Sequence, residues 1–460
     1  MRKSSAVTTL ALSILSGSCN LIPPLDAVKS PVSMEFPGNS GGAVSADIAW
    51  QKFFTDPRLR ALVRASLENN RDLRIAALNV QQSRAQYGIS RSALFPYIGG
   101  EATGERRRGL GNAGSNSSGV DSESYEVSVG VVSYELDLFG KVRSMNASAL
   151  NSYFATDAAR VAVQISLVAE VANQYLTELA LREQIALAEQ TLAGMDTAYD
   201  IMKQRFDAGT VSELDLSSME IQRQTASVDL AAFRQQAEVV KNSLVFLAGG
   251  SIPGNLPKGR SLDQVLVAPV RAGVSSDLLQ RRPDIRQAEF ELRSANADIG
   301  AARAALFPSI SLTASGGTSS RELSNLFANG TGTWLFSPRV DIPIFSGGLN
   351  LAYLESVKVA EKAAVASYEK SIQTGFREVA DGLAGRRGLA DRISATEKLV
   401  EAQQNRTNLA TARFDKGVDS YFEVLTATLD LFNARQRLIT LRLAREVNSV
   451  NLYKALGGGW

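Results

Sequence analysis

Four short sequence elements occur twice in this chain of 460 residues, in the same order and at nearly constant spacing. The pentapeptide RFDAG at 205–209 recurs as RFDKG at 413–417, an offset of 208 residues. The same offset relates 170–172 (EVA) to 378–380 and the glycines 249–250 to 457–458, and 91–96 (RSALFP) recurs as 303–308 (RAALFP) at an offset of 212. A fixed period indicates a fold built from repeated units, so we expect two related halves, 46–250 and 284–460.

Each half shows the same order of patterns. A helical segment ends at Leu-Phe-Pro, because proline biases the preceding residue away from helix. Two β-like segments follow around a polar loop. A long helical segment then leads to the RFxxG element and to a second long helix that ends in glycines. The Pro/Gly-rich stretch 251–283 is interpreted as a linker between the halves.

Apolar residues in the long helical segments recur at alternating steps of four and three, the heptad pattern of coiled-coil-like packing. Three stripes are predicted: Val161, Ile165, Val168, Ala172, Tyr175 and Leu179; Leu181, Ile185, Ala188, Leu192, Met195, Tyr199, Met202 and Phe206; and, after the turn, Val211, Leu214, Ser218, Ile221, Thr225 and Val228. A helix over 141–206 would be about 100 Å long, more than a compact domain holds. A dimeric coiled-coil scaffold would explain the heptads but not the paired strands.

The β-like segments alternate with period two. Tyr125, Val127, Val129 and Val131 share a face, and the phase then slips to Val132, Tyr134, Leu136 and Leu138, which predicts a β-bulge. In the second half Trp334, Phe336, Val340, Ile342 and Ile344 alternate with Leu335, Ser337, Arg339 and Asp341. Partner strands rich in small residues are predicted near 98–106 and 310–316, and polar loops over 109–123 and 320–333.

Four strands with one apolar face cannot close a barrel by themselves. Membrane barrels start at about eight strands, and narrow ones are filled by side chains. Since open strand edges are not tolerated in lipid, the chain should oligomerise. Two copies would give no useful lumen, whereas three copies give about twelve strands and leave a channel.

The composition argues against several classes of function. The chain has no histidine and one cysteine, which excludes imidazole bases, catalytic triads with histidine and Cys-rich metal sites. A formal charge of +2 gives no reason to expect a nucleic-acid partner. No phosphate-binding glycine motif is present, and we expect neither a cofactor nor a bound metal. The chain is therefore predicted not to be an enzyme, with carboxylate-only hydrolysis as the remaining alternative.

The N-terminus has the pattern of a signal peptide. Arg2 and Lys3 precede an apolar run that ends at Leu15, and small residues lead to Cys19. We predict a signal peptide over 1–18 and an extended, lipid-proximal segment over 19–45. The run resembles a lipoprotein signal, in which Cys19 becomes the acylated first residue, although Leu15 stands one position farther from the cysteine than usual. The alternative is ordinary cleavage after Ser18, which leaves a free thiol.

The repeated motifs together resemble those of the TolC/OprM outer membrane efflux family, NodT-type lipoprotein branch. The resemblance rests on the two Leu-Phe-Pro transitions, LLQRRPDIR at 278–286, the paired RFxxG turns and LGGGW at 456–460. It covers about residues 50–460. It implies a mainly α fold with membrane β structure. Long coiled-coil-like helices form a periplasmic α-barrel, and four strands per chain contribute to a trimeric twelve-stranded outer-membrane β-barrel.

The resemblance also implies a function. The chain would be the passive exit duct of a tripartite efflux system and would work as a homotrimer. Its partners would be a periplasmic adaptor, an inner-membrane pump of the resistance-nodulation-division class and outer-membrane lipid, with no cofactor. Two alternatives are an exit duct for secreted proteins and a soluble periplasmic scaffold.

The RFxxG turns are the first candidate site. Glycine suits a helix C-cap with left-handed backbone, which is a sufficient structural reason for its presence. By resemblance, the adaptor would dock on these turns. The candidate docking residues are Arg205, Phe206 and Gly209 in turn 1, and Arg413, Phe414 and Gly417 in turn 2.

Acidic residues just after the turns are the second candidate site. By resemblance, Asp215, Asp419 and Glu423 match the acidic ring that narrows the closed periplasmic aperture. The structural alternative is that Glu213, Asp215 and Asp419 occupy a first helical turn, where acids offset the macrodipole and cap free N–H groups. Arg413 and Lys416 are the nearest candidate cations for Asp419.

Two further clusters are interpreted as structural. Arg281, Arg282 and Asp284 flank Pro283, which suits the first position of a helix, and Asp284 could cap it or pair locally. The arginines at 106–108 end a strand and are expected in a solvated loop, with anionic lipid headgroups as an alternative contact.

Overall fold

The computed structural model describes residues 20–26, 28–29, 31–32, 48–108, 121–252, 254–262, 264, 267–268 and 281–458. Cys19 and the signal-like segment lie outside these ranges, and the linker 251–283 is described only in part. The helices are α1 (Trp50–Phe53), α2 (Pro57–Asn69), α3 (Arg71–Ser92), α4 (Lys141–Asp207), α5 (Glu213–Leu247), α6 (Pro283–Ala304), α7 (Leu349–Asp415) and α8 (Tyr421–Ala455). The strands are β1 (Ile98–Arg108), β2 (Asp121–Leu136), β3 (Ser309–Ser320) and β4 (Gly332–Asp341).

The two halves contain the same kinds of element in the same order. In each half a 22-residue helix precedes two strands, and a 67-residue helix then precedes a 35-residue helix. The predicted helix over 141–206 ends one residue later than expected, at Asp207. The proposed boundaries 46–250, 251–283 and 284–460 stay predictions. None of the helices among the described residues has a stretch both long and apolar enough to cross a membrane.

The four strands form one antiparallel sheet in the order β1-β2-β3-β4. The pairings place one set of apolar and small side chains on a common face: Val127, Val129, Val131, Ala314, Gly316, Trp334 and Phe336. The opposite face carries polar side chains, which include Glu101, Thr103, Glu126, Ser128, Ser315 and Ser319. The predicted alternation and the small-residue partner strands β1 and β3 are thus confirmed.

The predicted bulge is also confirmed. The register of β2 against β3 shifts between Val131 and Tyr134, and Ser133 has a positive φ of 51°. Because Tyr134 pairs with Leu312, it returns to the face that Val131 occupies. The bulge therefore lets an odd-numbered stripe and an even-numbered stripe share one apolar surface.

Several predicted β boundaries were wrong. Asp121 and Glu123 belong to β2, where they pair with Arg108 and Arg106, so the predicted loop 109–123 is too long. The arginines of 106–108 accordingly lie within β1 rather than in a loop. Strand β4 ends at Asp341, before the alternation that we predicted through Ile342 and Ile344. Pro343 explains this end, since proline has no N–H to continue a ladder.

One compact unit comprises the described residues within 20–29, 79–157 and 287–368 and contains the sheet. Within it, the segment that starts at Asn20 lies against α6. Asn296 donates a hydrogen bond to the carbonyl of Pro23 at 2.9 Å, and Arg303 donates one to the carbonyl of Leu21 at 3.3 Å. At Gly300 a Cβ atom would lie 2.6 Å from the side chain of Ile22, so glycine permits this close approach.

The second unit comprises the described residues within 31–78, 158–286 and 369–458 and is mainly helical. All six residues of the first predicted stripe, from Val161 to Leu179, are buried in it. In the second stripe Leu181, Ala188, Met195 and Met202 are buried, and burial is lost by Phe206. Tyr175 is fully buried and donates a hydrogen bond to Asp56, the N-cap of α2, at 3.2 Å.

The third predicted stripe is not buried within the chain, so its packing as a seam stays a prediction. Leu214, Ile221 and Val228 of α5 are 76%, 62% and 66% exposed. The buried positions of this helix are instead Met219, Ala226, Leu230, Val240 and Leu244. Helix α5 thus packs a different face against its own chain, and it presents the predicted heptad face to the outside.

Candidate functional site

The two RFxxG elements form the same helix-ending turn. In turn 1 the N–H of Gly209 donates to the carbonyl of Phe206 and the N–H of Thr210 to that of Arg205, both at 2.8 Å. In turn 2 Gly417 and Val418 donate to Phe414 and Arg413 at 2.8 and 3.0 Å. These paired bonds define a Schellman motif, which satisfies carbonyls that a helix end leaves free.

The glycines are required by backbone conformation. Gly209 and Gly417 have φ values of +73° and +72°, in the left-handed region. A Cβ atom at either position would meet nothing within 4 Å. The predicted C-cap role of both glycines is therefore confirmed, and adaptor docking at these turns stays a prediction.

Helix α5 begins with a capping box. The hydroxyl of Ser212 accepts from the N–H of Asp215 at 3.2 Å, and the Asp215 carboxylate accepts from the Ser212 hydroxyl and N–H at 2.6 and 3.2 Å. These bonds lower the pKa of Asp215 below its ordinary value. The structural alternative for Asp215, a capping residue in the first turn, is thus confirmed.

Asp419 does not have the helix-start role that was its structural alternative. It lies one residue before Ser420, the N-cap of α8, and Ser420 makes no side-chain cap. The Asp419 carboxylate instead accepts two hydrogen bonds from Arg413, at 2.5 Å from Nε and 2.9 Å from Nη2. These bonds lower the pKa of Asp419. Of the two cations suggested from the sequence, Arg413 is the one that reaches it.

Glu423 lies in the first turn of α8, 3.9 Å from the guanidinium of Arg406. Arg406 itself makes a closer pair with Asp430, at 2.6 Å. Glu423 therefore lies at the edge of an ion-pair group that joins α7 to α8. Its role at an aperture stays a prediction, as it does for Asp215 and Asp419.

The two turns contact each other through aromatic side chains. The guanidinium carbon of Arg205 lies 4.9 Å from the ring centroid of Phe414, within the range of a cation–π contact. Phe414 packs edge-on against Tyr421, with centroids 5.1 Å apart. Tyr421 in turn packs against a buried cluster that includes Met202 and Met219. Residues from both helical hairpins, α4–α5 and α7–α8, thus form one apolar assembly behind the turns.

Arg282 is the centre of a second polar cluster. Its side chain is 7% exposed and lies within 2.7 Å of Asp284 and 2.8 Å of Glu378. It also donates to the carbonyl of Ala455, the last residue of α8, at 2.7 Å. Helix α6 begins at Pro283, as predicted. The cluster thus joins the start of α6 to α7 and to the end of α8, while Arg281 beside it is exposed.

The described residues contain no group of His, Cys, Asp and Glu side chains placed to hold a metal ion. The turns and ion pairs of this region hold the helices in place, and their donors and acceptors are matched to each other. These contacts have structural roles, and the protein family is identified by similarity to known proteins.

The family model described as outer membrane efflux protein matches residues 62–250 and 274–458. The chain belongs to this outer membrane efflux protein family. It is 44% identical over 465 residues to the antibiotic efflux pump outer membrane protein ArpC of Pseudomonas putida, covering 99% of this chain and 95% of that protein. It is 38% identical to the cation efflux system protein CusC of Escherichia coli O157:H7, with 96% of each covered.

Solved structures agree with this assignment. The open state of the Neisseria gonorrhoeae MtrE outer membrane channel superposes with a TM-score of 0.88 at 37% identity, covering 96% of this chain and 98% of that one. A membrane protein from Pseudomonas aeruginosa gives 0.89 at 36% identity, with 96% and 98% covered. The resemblance inferred from the repeated motifs is confirmed: this outer membrane efflux protein has the fold of known efflux channels.

Some contacts of this outer membrane efflux protein had no signal in the sequence analysis. Tyr421 follows the N-cap directly and belongs to no predicted stripe or motif, yet it packs against residues of both helix pairs, α4–α5 and α7–α8. Arg406 lies on α7, and its acidic partners on α8 are 17 and 24 residues later, too far for a local helix pairing rule. Glu378, which was noted only as part of a repeated tripeptide, pairs with Arg282.

Proposed function

We propose that this chain forms, as a homotrimer, the outer-membrane exit duct of a tripartite efflux system. A periplasmic adaptor and an inner-membrane pump of the resistance-nodulation-division class would deliver antibiotics or other small toxic compounds to it, and conduction through it would be passive. Membership of the outer membrane efflux protein family supports the assignment. The relatives' names include both antibiotic and cation efflux, so the transported class is a proposal and is kept broad.

Exposed apolar surface on the single chain is the observation that supports assembly. The sheet has two open edges, β1 and β4, and its apolar face is uncovered, with Trp334 82% exposed. Open edges in lipid leave backbone groups unsatisfied, which costs several kcal/mol for each group. Four strands from each of three copies would close these edges and leave a lumen lined by the polar face.

The exposed heptad face of α5 supports the same assembly. Leu214, Ile221 and Val228 repeat at intervals of seven, the spacing at which helices pack against partner helices. Helix α7 carries a comparable exposed series at steps of four and three: Ala395, Leu399, Ala402, Arg406 and Leu409. We propose that a second copy of this chain covers these faces, so that the two series form seams between subunits.

The ends of the duct would have separate tasks. The turns at Arg205–Gly209 and Arg413–Gly417 are proposed to receive the adaptor, and Asp215, Asp419 and Glu423 to narrow the aperture beside them. Acylation of Cys19 would add a lipid anchor to the one that the strands provide. None of these three roles requires a cofactor.

The test combines assembly and conduction. Purified protein is expected to sediment as a trimer in detergent and to give ion conductance in planar bilayers. Ile221→Glu should weaken the trimer because it places three like charges in the seams, whereas Ser227→Glu, exposed and about 120° away on the same helix, should not. A dimer, a protein that needs no detergent, or a trimer without conductance would overturn the proposal.

A further inference from the structure

Arg205 and Arg413 hold equivalent positions in the two turns but contact different partners. The guanidinium of Arg413 binds Asp419 across turn 2 through two atoms. The position equivalent to Asp419 in turn 1 is Val211, which packs against the buried methionine cluster and offers no carboxylate. Arg205 lies over the ring of Phe414 instead. Of the two turns, turn 2 alone has these paired hydrogen bonds from arginine to aspartate, so they are not a property of the RFxxG element.

We propose that Arg413 positions Asp419 and offsets its charge, so that the acid each subunit presents at the aperture is set within its own chain. The proposal rests on the proposed function, because the Asp419 side chains of several copies approach one axis only in an assembled channel. It makes Arg413 a residue that determines ion preference, beyond its place in a turn.

Geometry supports a positioning role. Two bonds from one planar guanidinium fix both the distance and the direction of a carboxylate, which an ammonium group cannot do. Asp419 precedes the N-cap and has no helical hydrogen bonds of its own, so Arg413 is what orients it. The side chains of Arg413 and Asp419 are 57% and 26% exposed, so the pair lies where permeating ions could sense it.

The same contacts determine how much net charge Asp419 presents to a passing ion. A carboxylate paired at 2.5 Å with a guanidinium presents little net charge to an ion that passes farther away. Asp215 differs, because it accepts only from Ser212, and among the described residues no Lys or Arg nitrogen lies within 4.0 Å of it. Asp215 would therefore contribute more net negative charge than Asp419. Its equivalent in the second half is Glu423, at the same offset of 208 residues.

A double-mutant cycle in planar bilayers tests the inference by measuring the cation-to-anion permeability ratio. Arg413→Gln should raise the ratio by about twofold or more, because it exposes three uncompensated carboxylates. Asp419→Asn should lower it, because three arginines lose their partner. The double variant should lie near wild type. Arg413→Lys should fall between wild type and Arg413→Gln, because an ammonium keeps the charge but cannot fix the direction of the carboxylate.

Matched controls separate charge from folding. Arg234 and Glu189 form an exposed pair at 2.7 Å between α5 and α4, and Arg234→Gln should leave the ratio unchanged. Melting temperature and trimer content should stay near wild type for every variant, since exposed ion pairs add little stability. An unchanged ratio in Arg413→Gln, or a double variant whose ratio stays as high as that of Arg413→Gln, would overturn the inference alone. A wild-type trimer without conductance would overturn the proposed function, and this inference with it.

Discussion

The guanidinium of Arg282 lies 2.8 Å from the carboxylate of Glu378, 96 residues later in the chain. The same guanidinium contacts Asp284 and the carbonyl of Ala455. One buried side chain thus satisfies two acids and one helix-end carbonyl.

Replacing Arg282 should destabilise the helical unit. Arg282→Met leaves Glu378, Asp284 and the Ala455 carbonyl without this donor, and breaking such a pair costs about 3–5 kcal/mol when both partners are buried. Because the two acids are about 40% exposed, we expect a smaller loss, about 1–3 kcal/mol. Thermal melting followed by circular dichroism would measure it. Arg377→Met, at an exposed position next to Glu378, is the control, and an equal loss there would contradict the argument.

The turn glycines should resist substitution for conformational reasons alone. Gly417→Ala forces a left-handed backbone on alanine, at a cost of about 1 kcal/mol, although the new methyl group meets no neighbour. Gly194→Ala is the matched control, because Gly194 lies inside α4 with equally open surroundings, and it should stabilise by about 0.5–1 kcal/mol. Opposite shifts in melting temperature are expected. Shifts of the same sign would show that the φ of Gly417 is not the cause.

The two N-caps should respond differently to the same mutation. Ser212→Ala removes a capping box and should cost about 1 kcal/mol, whereas Ser420→Ala should cost little, since Ser420 makes no side-chain cap. Because the folded-state pKa of Asp215 is lowered, its contribution is present above the ordinary carboxyl pKa and is lost as pH falls through the lowered value. The protection of the amides at the start of α5 against hydrogen exchange, relative to their intrinsic rates, should therefore fall as the pH is lowered. An exchange rate there that did not respond to pH, once corrected for intrinsic exchange, would refute this account.

The mature N-terminus can be tested directly. If Cys19 is acylated, mass spectrometry of the first tryptic peptide will show a lipid-modified cysteine, and Cys19→Ala will remove the modification. Efflux should survive this change, because the strands are proposed to anchor the chain as well. An unmodified cysteine at the mature terminus would show ordinary cleavage after Ser18.

The long helices could be predicted from the sequence because each signal was local. Heptad stripes set the helical phase, and a glycine with left-handed backbone ends each long helix, so the predicted end of α4 differed by one residue. The sheet was predictable for the same reason, apart from the end of β1, the start of β2 and the end of β4. Strand β4 ends before Pro343, which has no N–H for the ladder, although the apolar alternation continues beyond it.

Other features depend on packing between helices and on contacts between residues far apart in the sequence. The stripe through Ile221 has the right period, but a period does not tell whether the partner helix belongs to the same chain. Both Arg413 and Lys416 were candidate partners of Asp419 from the sequence, and the Schellman turn selects Arg413 because it brings residues six positions apart face to face. The contacts of Arg282 with Glu378 and Ala455 join residues 96 and 173 positions apart, which no local pattern reports.

The contact of the N-terminal segment with α6 sets an order of events in maturation. Leu21 and Pro23 bind residues 282 and 273 positions later in the chain. A chain that leaves the cytoplasm from its N-terminus delivers these partners only after more than half of it has crossed. If enzymes act on the residues before Asn20 while the chain is still crossing, they would meet an N-terminal segment that has not yet bound α6. Docking against Gly300 comes afterwards, so lipid attachment would precede tertiary folding at this end of the chain.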